Sequence, residues 1–346
     1  MQNQTQHKLF CKTEKIVRGD LISMQINLLN ACPSRCKSCR RYEWPKDTLP
    51  YGKLKELIIE CKNHYDIETI IFSGGDPICY PELEKAMHLC TDLGIEFSLI
   101  STLITNDNER IKSIATMAER LHVSLDSVNK EGYKEIRGVD AFDIVEKNVA
   151  TIQEIRKLLR KQPIRFSMTV SKLNYKEAFN VYEFAKKYGC HINFYYLHTW
   201  DDMKLDGKQR EEFQNIMEKI INDNNISESP LLTNAADFLK EEVQVNNSNA
   251  GCKRCRVSYI HCAVNADGSI FPCCKLFNEN ACYEDSIKYA CGNIFDGDII
   301  KQLEKRKDGN YPLDVQECKD CMPCYYEIVN PYVMNVLDNY GKKVFI

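Results

Sequence analysis

Three closely spaced cysteines, in the segment Cys32-Pro33-Ser34-Arg35-Cys36-Lys37-Ser38-Cys39, constrain this chain more than any other feature. Gaps of three and two residues let one tight loop carry three thiolates to three corners of an iron–sulfur cluster. No fourth cysteine follows in the loop. One iron would therefore keep an open coordination position, and open positions on protein metals are where chemistry takes place. A zinc site or separate buried thiols are the alternatives.

Apolar strands and amphipathic helices alternate on either side of this loop. The clearest helix covers residues 140–160, where Phe142, Val145 and Val149 begin an apolar stripe. Six strand–helix units in succession predict parallel strands joined by crossover helices. Because eight units close a TIM barrel, six predict an α/β fold with a partial (β/α)6 barrel. The predicted strands are Leu21–Leu29, Glu68–Phe72, Ile95–Ile100, Arg120–Leu125, Pro163–Val170 and Cys190–Leu197.

Polar residues stand where these strands end. Active sites of such barrels lie at the C-terminal ends of the strands, so these residues are expected to share one rim. Glycine there allows the backbone to approach a ligand closely and to adopt positive φ. The polar points are Ser73-Gly74-Gly75-Asp76-Pro77, Ser101-Thr102, Ser124-Leu125-Asp126 and His198.

The cysteine loop and the Gly-Gly-Asp-Pro segment together resemble the signature of the radical S-adenosylmethionine (SAM) enzymes. In that family SAM chelates the open iron, and an electron from the cluster breaks the sulfonium bond to give a 5′-deoxyadenosyl radical. The resemblance spans about residues 21–325. It implies a [4Fe-4S] cluster on Cys32, Cys36 and Cys39, SAM as a second cofactor, and a flavodoxin- or ferredoxin-type electron donor.

The resemblance also implies which residues contact SAM. Gly74, Gly75 and Asp76 match the family's Gly-Gly-Glu-Pro motif, which holds the SAM amino group, with aspartate in place of glutamate. The segments 122–126 and 136–138 are similar to the family's fourth strand and the Arg-Gly after it. By this resemblance Ser124 and Arg137 face the SAM carboxylate, and Ser101 and Thr102 the ribose hydroxyls. Strand-end caps and a surface ion pair are the alternative roles.

One position departs from the family pattern. Many members carry an aromatic residue just before the third cysteine, where it packs on the adenine, but this chain has Ser38. Tyr42 or Trp44 could replace it, or the adenine could sit differently.

The alternating pattern stops near residue 221, and polar Asn- and Ser-rich stretches follow. Ten of the 18 cysteines lie between Cys252 and Cys324. Asn265-Ala266-Asp267-Gly268 predicts a hairpin turn, with the next strand beginning at Ser269. We therefore predict a lead-in over 1–20, a barrel over 21–225 and a small cysteine-rich α+β domain over 226–346.

This cysteine-rich region resembles the auxiliary-cluster domain of SPASM and Twitch radical SAM enzymes, in which C-x9-15-G-x4-C precedes C-x2-C. Glu327 stands where the full SPASM pattern continues with a cysteine, which favours the Twitch form with one auxiliary [4Fe-4S] cluster. The implied ligands are Cys255, Cys273, Cys318 and Cys321.

Two other metal sites are possible in this region. Cys324 extends the pair to C-x2-C-x2-C, which could itself hold three corners of a cluster. Alternatively, Cys252 and Cys255 could form a zinc ribbon with Cys318 and Cys321.

Charge and hydropathy exclude several classes of partner. The net charge of −3 gives no general attraction to nucleic acid or membrane. No apolar run approaches the roughly 20 residues that span a bilayer. The N-terminal segment MQNQTQHKLF lacks a signal-peptide pattern. A reducing cytoplasm is the expected location, where such cysteine spacings favour metals over disulfides.

The sequence leaves the reaction open between two hypotheses. In oxidation or bond formation, the auxiliary cluster accepts a second electron and a rim residue removes a proton. In epimerisation, a cysteine donates hydrogen back to the substrate, although a buried inert thiol is the other interpretation. The candidate bases are Asp126, Asp201 and His198. The candidate hydrogen donors are Cys262, Cys274 and Cys291.

The resemblance implies a ribosomally made peptide (RiPP-type) or a small cyclitol, sugar or nucleotide as substrate. The lead-in before Leu21 is too short for a leader-binding domain, which keeps the small-molecule hypothesis open. A non-catalytic iron–sulfur or zinc protein is the alternative from another class.

Overall fold

The computed structural model describes residues 13–197, 202–224, 257–274, 276, 282–307 and 336. Its strands form one nine-stranded sheet in the order β6-β5-β4-β3-β2-β1-β7-β8-β9. The strands are β1 Ser23–Asn27, β2 Thr69–Ser73, β3 Glu96–Ser101, β4 Arg120–Ser124, β5 Arg165–Val170, β6 His191–Tyr196, β7 His261–Val264, β8 Ser269–Phe271 and β9 Gly292–Asn293.

Strands β1 to β6 are all parallel, and each pairs with the next along the chain. Helices connect them, as right-handed crossover units require. The sheet is open, since β6 and β9 are its two edges. The predicted α/β class and partial (β/α)6 barrel are confirmed. The connecting helices are Tyr51–Tyr65, Leu83–Asp92, Asn108–Met117, Lys130–Arg137, Phe142–Leu158 and Ala178–Tyr188, and Gly207–Asn224 follows β6.

The two faces of the barrel sheet differ in polarity. Along β5, Phe166, Met168 and Val170 are buried. The residues that alternate with them, Arg165, Ser167 and Thr169, are partly exposed. The apolar face packs against the helices, which form the outer layer of a barrel. The polar face is therefore the concave interior of the partial barrel.

The outer helices bury the stripes that their sequences predict. Helix Tyr51–Tyr65 buries Leu54, Leu57, Ile58 and Cys61. Cys90 is also fully buried, and burial raises the pKa of its thiol to about 12. Both cysteines lie in the main apolar core.

Three strands after residue 256 are added to the barrel sheet. Strand β7 pairs in parallel with β1, and β8 pairs with β7 as an antiparallel hairpin, as predicted. Gly268 closes its turn at φ 85°, a conformation that favours glycine. The described part of the predicted C-terminal domain thus extends the barrel sheet, and the boundary near residue 225 stays a prediction.

No helix in the described ranges combines the length and the apolar character that a bilayer crossing needs.

Candidate active site

The cysteine loop lies at the C-terminal edge of the barrel sheet, directly after β1. Cys32, Cys36 and Cys39 are free thiols and are all partly exposed. The loop is attached by its backbone to the segment that follows β4, because Arg35 N donates to Arg137 O at 2.8 Å. The three thiols therefore occupy the rim that the sequence predicts.

Each of the three sulfurs accepts a hydrogen bond from a nearby N–H group. Such donors stabilise thiolates relative to thiols, and the thiolate is the form that binds metal. The pairs are Ser34 N to Cys32 Sγ at 3.4 Å, Arg41 N to Cys39 Sγ at 3.5 Å and Arg137 Nη1 to Cys36 Sγ at 3.6 Å. Burial raises the pKa of the Cys36 thiol, and the Arg137 guanidinium opposes that rise.

The donor set of the loop fits the implied [4Fe-4S] group. Each of the three partly exposed thiols has an N–H donor at its sulfur, and iron–sulfur clusters are held by cysteine thiolates whose sulfurs accept hydrogen bonds. Within the described ranges, no group of three His, Cys, Asp or Glu side chains is placed to hold a single metal ion.

Gly74 and Gly75 hold the second rim loop against the cysteine loop. Gly75 N donates to Leu29 O at 2.6 Å, and Asp76 N donates to Ala31 O at 2.9 Å. A Cβ at Gly75 would lie 2.2 Å from Ala31 O, and one at Gly74 would lie 2.4 Å from Leu29 O. The sequence predicts that these glycines let the backbone approach a ligand closely. In the structure they let it approach the protein's own backbone at Leu29 and Ala31. Contact of these glycines with SAM stays a prediction.

The Asp76 side chain is buried and fully engaged within the protein. Its carboxylate accepts hydrogen bonds from Ile78 N at 3.1 Å, Ser101 Oγ at 2.7 Å, Thr102 N at 2.9 Å and Thr102 Oγ1. Four donors occupy the roughly four acceptor positions of a carboxylate. Burial raises the pKa of Asp76, and these hydrogen bonds oppose that rise. Asp76 therefore fixes the end of β3 to the loop after β2.

This network bears on the predicted ribose contacts. Ser101 and Thr102 direct their hydroxyl hydrogens to Asp76, so only their acceptor lone pairs stay available to a ligand. The ribose role of both residues stays a prediction.

A buried ion pair joins the loop after β4 to the cysteine loop. Arg137 Nη2 lies 2.8 Å from Asp126 Oδ2, with the two side chains 7% and 4% exposed. Asp126 Oδ1 also accepts from Thr169 N at 2.8 Å. Arg137 Nε is buried with no hydrogen-bond partner in the described structure. The predicted contact of Arg137 with the SAM carboxylate stays a prediction.

Gly138 allows the cysteine loop to approach this segment. Its φ is 66°, and a Cβ there would lie 2.6 Å from Arg35 O. Ser124, at the end of β4, is the register partner of Ser167 and lies on the concave face. It is partly exposed, so the predicted contact with the SAM carboxylate is sterically open.

The structure separates the predicted catalytic residues. Asp126 is buried in its ion pair, an arrangement that favours a positioning role over that of a general base. Cys262 is the register partner of Met24 and therefore lies on the helix-facing side of the sheet. Burial raises the pKa of its thiol to about 12. This placement argues against Cys262 as a hydrogen donor inside the barrel. His198 and Asp201 lie outside the described residues.

Cys274 and Trp44 belong to a small cluster beside the cysteine loop. Buried Trp44, Ala263 and Phe271 form its centre, and Cys274 packs against it. The Trp44 ring meets Tyr283 edge-to-face at 5.6 Å. Trp44 thus joins the cysteine-loop segment to the β7–β8 hairpin, and its predicted contact with adenine is untested.

Only one predicted auxiliary ligand falls within the described residues. Cys273 lies two residues after β8 and is partly exposed. The other positions lie outside the described part of the chain: Cys252, Cys255, Cys318, Cys321 and Cys324. The auxiliary cluster therefore stays a prediction.

Sequence reasoning missed two features of the site. The pairing of Asp126 with Arg137 joins two separate elements, and no local pattern signals it. The second feature is a row formed by His122, Arg165 and His191 on the concave face. Strict alternation of polar and apolar residues along β4 and β5 could have indicated this row.

Comparison with known proteins supports the family resemblance. Residues 26–185 match the sequence model of the Radical SAM superfamily. A probable GTP 3′,8-cyclase of Saccharolobus islandicus is 25% identical over 204 residues, which cover 58% of this chain and 65% of the relative. An AdoMet-dependent heme synthase of Methanosarcina barkeri is 26% identical over 273 residues, 71% of this chain and 74% of the relative. The chain thus spans 65% of the length of the first of these relatives.

Two solved structures share the fold over most of the chain. Streptococcus suis SuiB bound to the precursor peptide SuiA has a TM-score of 0.62 at 16% identity, covering 91% of this chain and 70% of SuiB. Native anSMEcpe with bound AdoMet and the Cp18Cys peptide has a TM-score of 0.61 at 18% identity, covering 92% of this chain and 99% of anSMEcpe. Likeness at this identity concerns the fold alone.

Proposed function

Because residues 26–185 match the Radical SAM superfamily, we propose that the chain is a radical SAM enzyme with its cluster on Cys32, Cys36 and Cys39. The observation that carries the proposal is the set of three partly exposed thiols, each supplied with an N–H donor. When bound, the cluster and SAM supply a 5′-deoxyadenosyl radical that removes hydrogen from a substrate carbon.

The chain's own residues then position the cofactor. Arg137 donates to Cys36 through Nη1 and is held in place by Asp126. We assign its guanidinium to the SAM carboxylate, because a guanidinium forms charge-assisted bonds in a fixed geometry. Gly74 and Gly75 hold their loop against the backbone that leads into the cysteine loop, and their carbonyls would accept from the SAM ammonium.

We propose oxidation or bond formation as the reaction, with a peptide as substrate. Both fold neighbours were solved with a bound peptide. Cys262, one of the candidate hydrogen donors, lies on the helix-facing side of the sheet, which weighs against epimerisation through that thiol. Oxidation needs an acceptor for the second electron, which an auxiliary cluster held by Cys273 and its predicted partner cysteines would supply, and a base that would take the proton.

A small nucleotide is the second candidate substrate. A nucleotide is the substrate named for the probable GTP 3′,8-cyclase relatives, which match over 58% of this chain. A flavodoxin or ferredoxin is proposed as the electron donor in either case.

Anaerobic iron and sulfide analysis tests the cluster assignment, together with detection of 5′-deoxyadenosine from SAM. We expect about eight irons per chain if both cubic clusters are present. Cys36→Ala should remove about four irons and all deoxyadenosine. Cys273→Ala should remove about four irons while SAM cleavage continues. Cys79→Ala is the matched control, since Cys79 is exposed and is not among the predicted ligands of either cluster. Stoichiometric zinc without SAM cleavage would refute the proposal.

Product analysis in deuterated water distinguishes the reactions once a substrate is found. A mass loss of two hydrogens indicates oxidation, and one deuterium retained at carbon indicates epimerisation.

A further inference from the structure

Three nitrogen-bearing side chains form a row across the concave face of the barrel. Arg165 on β5 is the register partner of His122 on β4 and of His191 on β6. Register partners on parallel strands project to the same face, about 4.8 Å apart from strand to strand. All three residues are partly exposed, while their neighbour Phe166 is buried toward the helices. The row therefore faces the interior of the barrel.

Among the described residues, no acidic side chain pairs with this row. The side chains of His122, Arg165 and His191 make no hydrogen bond or ion pair there. Glu96, the acidic residue at the start of β3, is exposed. Burial lowers the pKa of His122 to about 4, and the neighbouring charge of Arg165 contributes to that shift. Burial and Arg165 also lower the pKa of His191.

Three other buried arginines each have partners within the protein, although Arg137 Nε and Arg306 Nε have none in the described structure. Arg137 pairs with Asp126, and Arg306 pairs with Glu304 at 3.0 Å. Arg156 donates to backbone carbonyls, including Ala118 O at 2.9 Å. Charged groups removed from water normally have such partners. Arg165 differs because it lies on the concave face without such a partner among the described residues.

We propose that the row of His122, Arg165 and His191 binds an anionic group of the substrate, either a carboxylate or a phosphate. The inference rests on the proposed function, since it identifies what the barrel interior recognises. A guanidinium binds both anions through two parallel hydrogen bonds. A neutral imidazole on each side can add one N–H donor.

The position of the row limits the length of the substrate. Arg165 is the first residue of β5, and Thr169 near its end donates to Asp126 at the rim. Four residues of strand span about 13 Å. The substrate would therefore carry its anionic group about 13 Å from the end of the barrel that holds the cysteine loop.

The test measures binding of inorganic phosphate and of acetate to the full, cluster-loaded chain by anaerobic calorimetric titration. Arg165→Met removes the positive charge. Arg165→Lys retains the charge but lacks the planar guanidinium that binds an anion through two hydrogen bonds. Arg160→Met is the matched control, because Arg160 is exposed and outside the row. Circular dichroism confirms that each variant is folded.

We expect Arg165→Met to weaken binding of the preferred anion at least tenfold, Arg165→Lys to weaken it less, and Arg160→Met to leave it unchanged. Tighter phosphate binding identifies a phosphorylated substrate, and tighter acetate binding identifies a carboxylate. Equal binding by Arg165→Met and the unaltered chain would overturn the proposal, as would no binding of either anion below about 50 mM. SAM cleavage by the unaltered chain is scored separately, so failure of the proposed function is distinguished from failure of this inference.

Discussion

Replacement of Asp126 by asparagine should destabilise the barrel strongly. Asp126→Asn keeps the side-chain shape and the acceptor for Thr169 N, but it removes the charge that faces Arg137. The pair is 2.8 Å long, and its side chains are only 7% and 4% exposed. Removal of one partner from a buried pair costs about 3–5 kcal/mol, because the remaining charge stays buried without compensation. We expect the free energy of unfolding to fall by that amount.

The cluster should reduce this cost. Arg137 also contacts Cys36, and thiolates that bind iron carry negative charge near the guanidinium. The loss measured by urea unfolding should therefore be larger in cluster-free protein than in cluster-loaded protein. Both forms are measured by circular dichroism, and iron content is determined before each titration.

Asp143→Asn provides the matched control. Asp143 pairs with Lys130 at 2.6 Å, but the lysine and aspartate side chains are 58% and 67% exposed. Exposed pairs contribute only about 0–1 kcal/mol. If Asp126→Asn cost no more than this control while blocking turnover alone, Asp126 would be the general base, and the positioning role argued from its burial would be wrong.

Two further predictions concern the rim glycine and the concave face. In Gly75→Ala the new Cβ would lie 2.2 Å from Ala31 O, so the cysteine loop must move and iron content should fall by about four per chain. Gly52→Ala has open space at its Cβ and should keep its iron; equal iron in both variants would contradict the clash. Since the pKa of His122 falls from 6.5 to about 4 on folding, the unfolded chain takes up the proton first. The free energy of unfolding should fall between pH 6.5 and 4, by up to about 3 kcal/mol from this residue. Urea unfolding at pH 7 and 4.5 should show a smaller fall in His122→Asn, and an equal fall would refute the assignment.

Local patterns were sufficient for most of the fold. Each of the six barrel strands lies within its predicted range or within one residue of it, because alternation and apolar runs depend only on neighbours along the chain. The hairpin at Asn265–Gly268 was predictable for the same reason, since a glycine at positive φ marks the turn. The helix that buries Cys61 follows from its apolar spacing.

The partners of the polar rim residues could not be predicted in this way. The Asp76 carboxylate binds the end of β3, a contact that no local pattern indicates, and its contact with SAM stays a prediction. Cys262 was a candidate hydrogen donor, yet its register with Met24 places it on the helix-facing side. Both outcomes depend on which strands are adjacent and on their register, and neither quantity is encoded in a short segment.

The sequence alone determined the cysteine spacing, the succession of strands and helices, and therefore the edge of the barrel at which chemistry is expected. Only the tertiary structure decided which charges are neutralised. It paired Arg137 with Asp126, and in the part of the chain that the structure describes it placed no acid in an ion pair with Arg165. The physical reason is that the free energy of a buried charge depends on groups within a few ångströms, and strand packing brings those groups from distant parts of the chain.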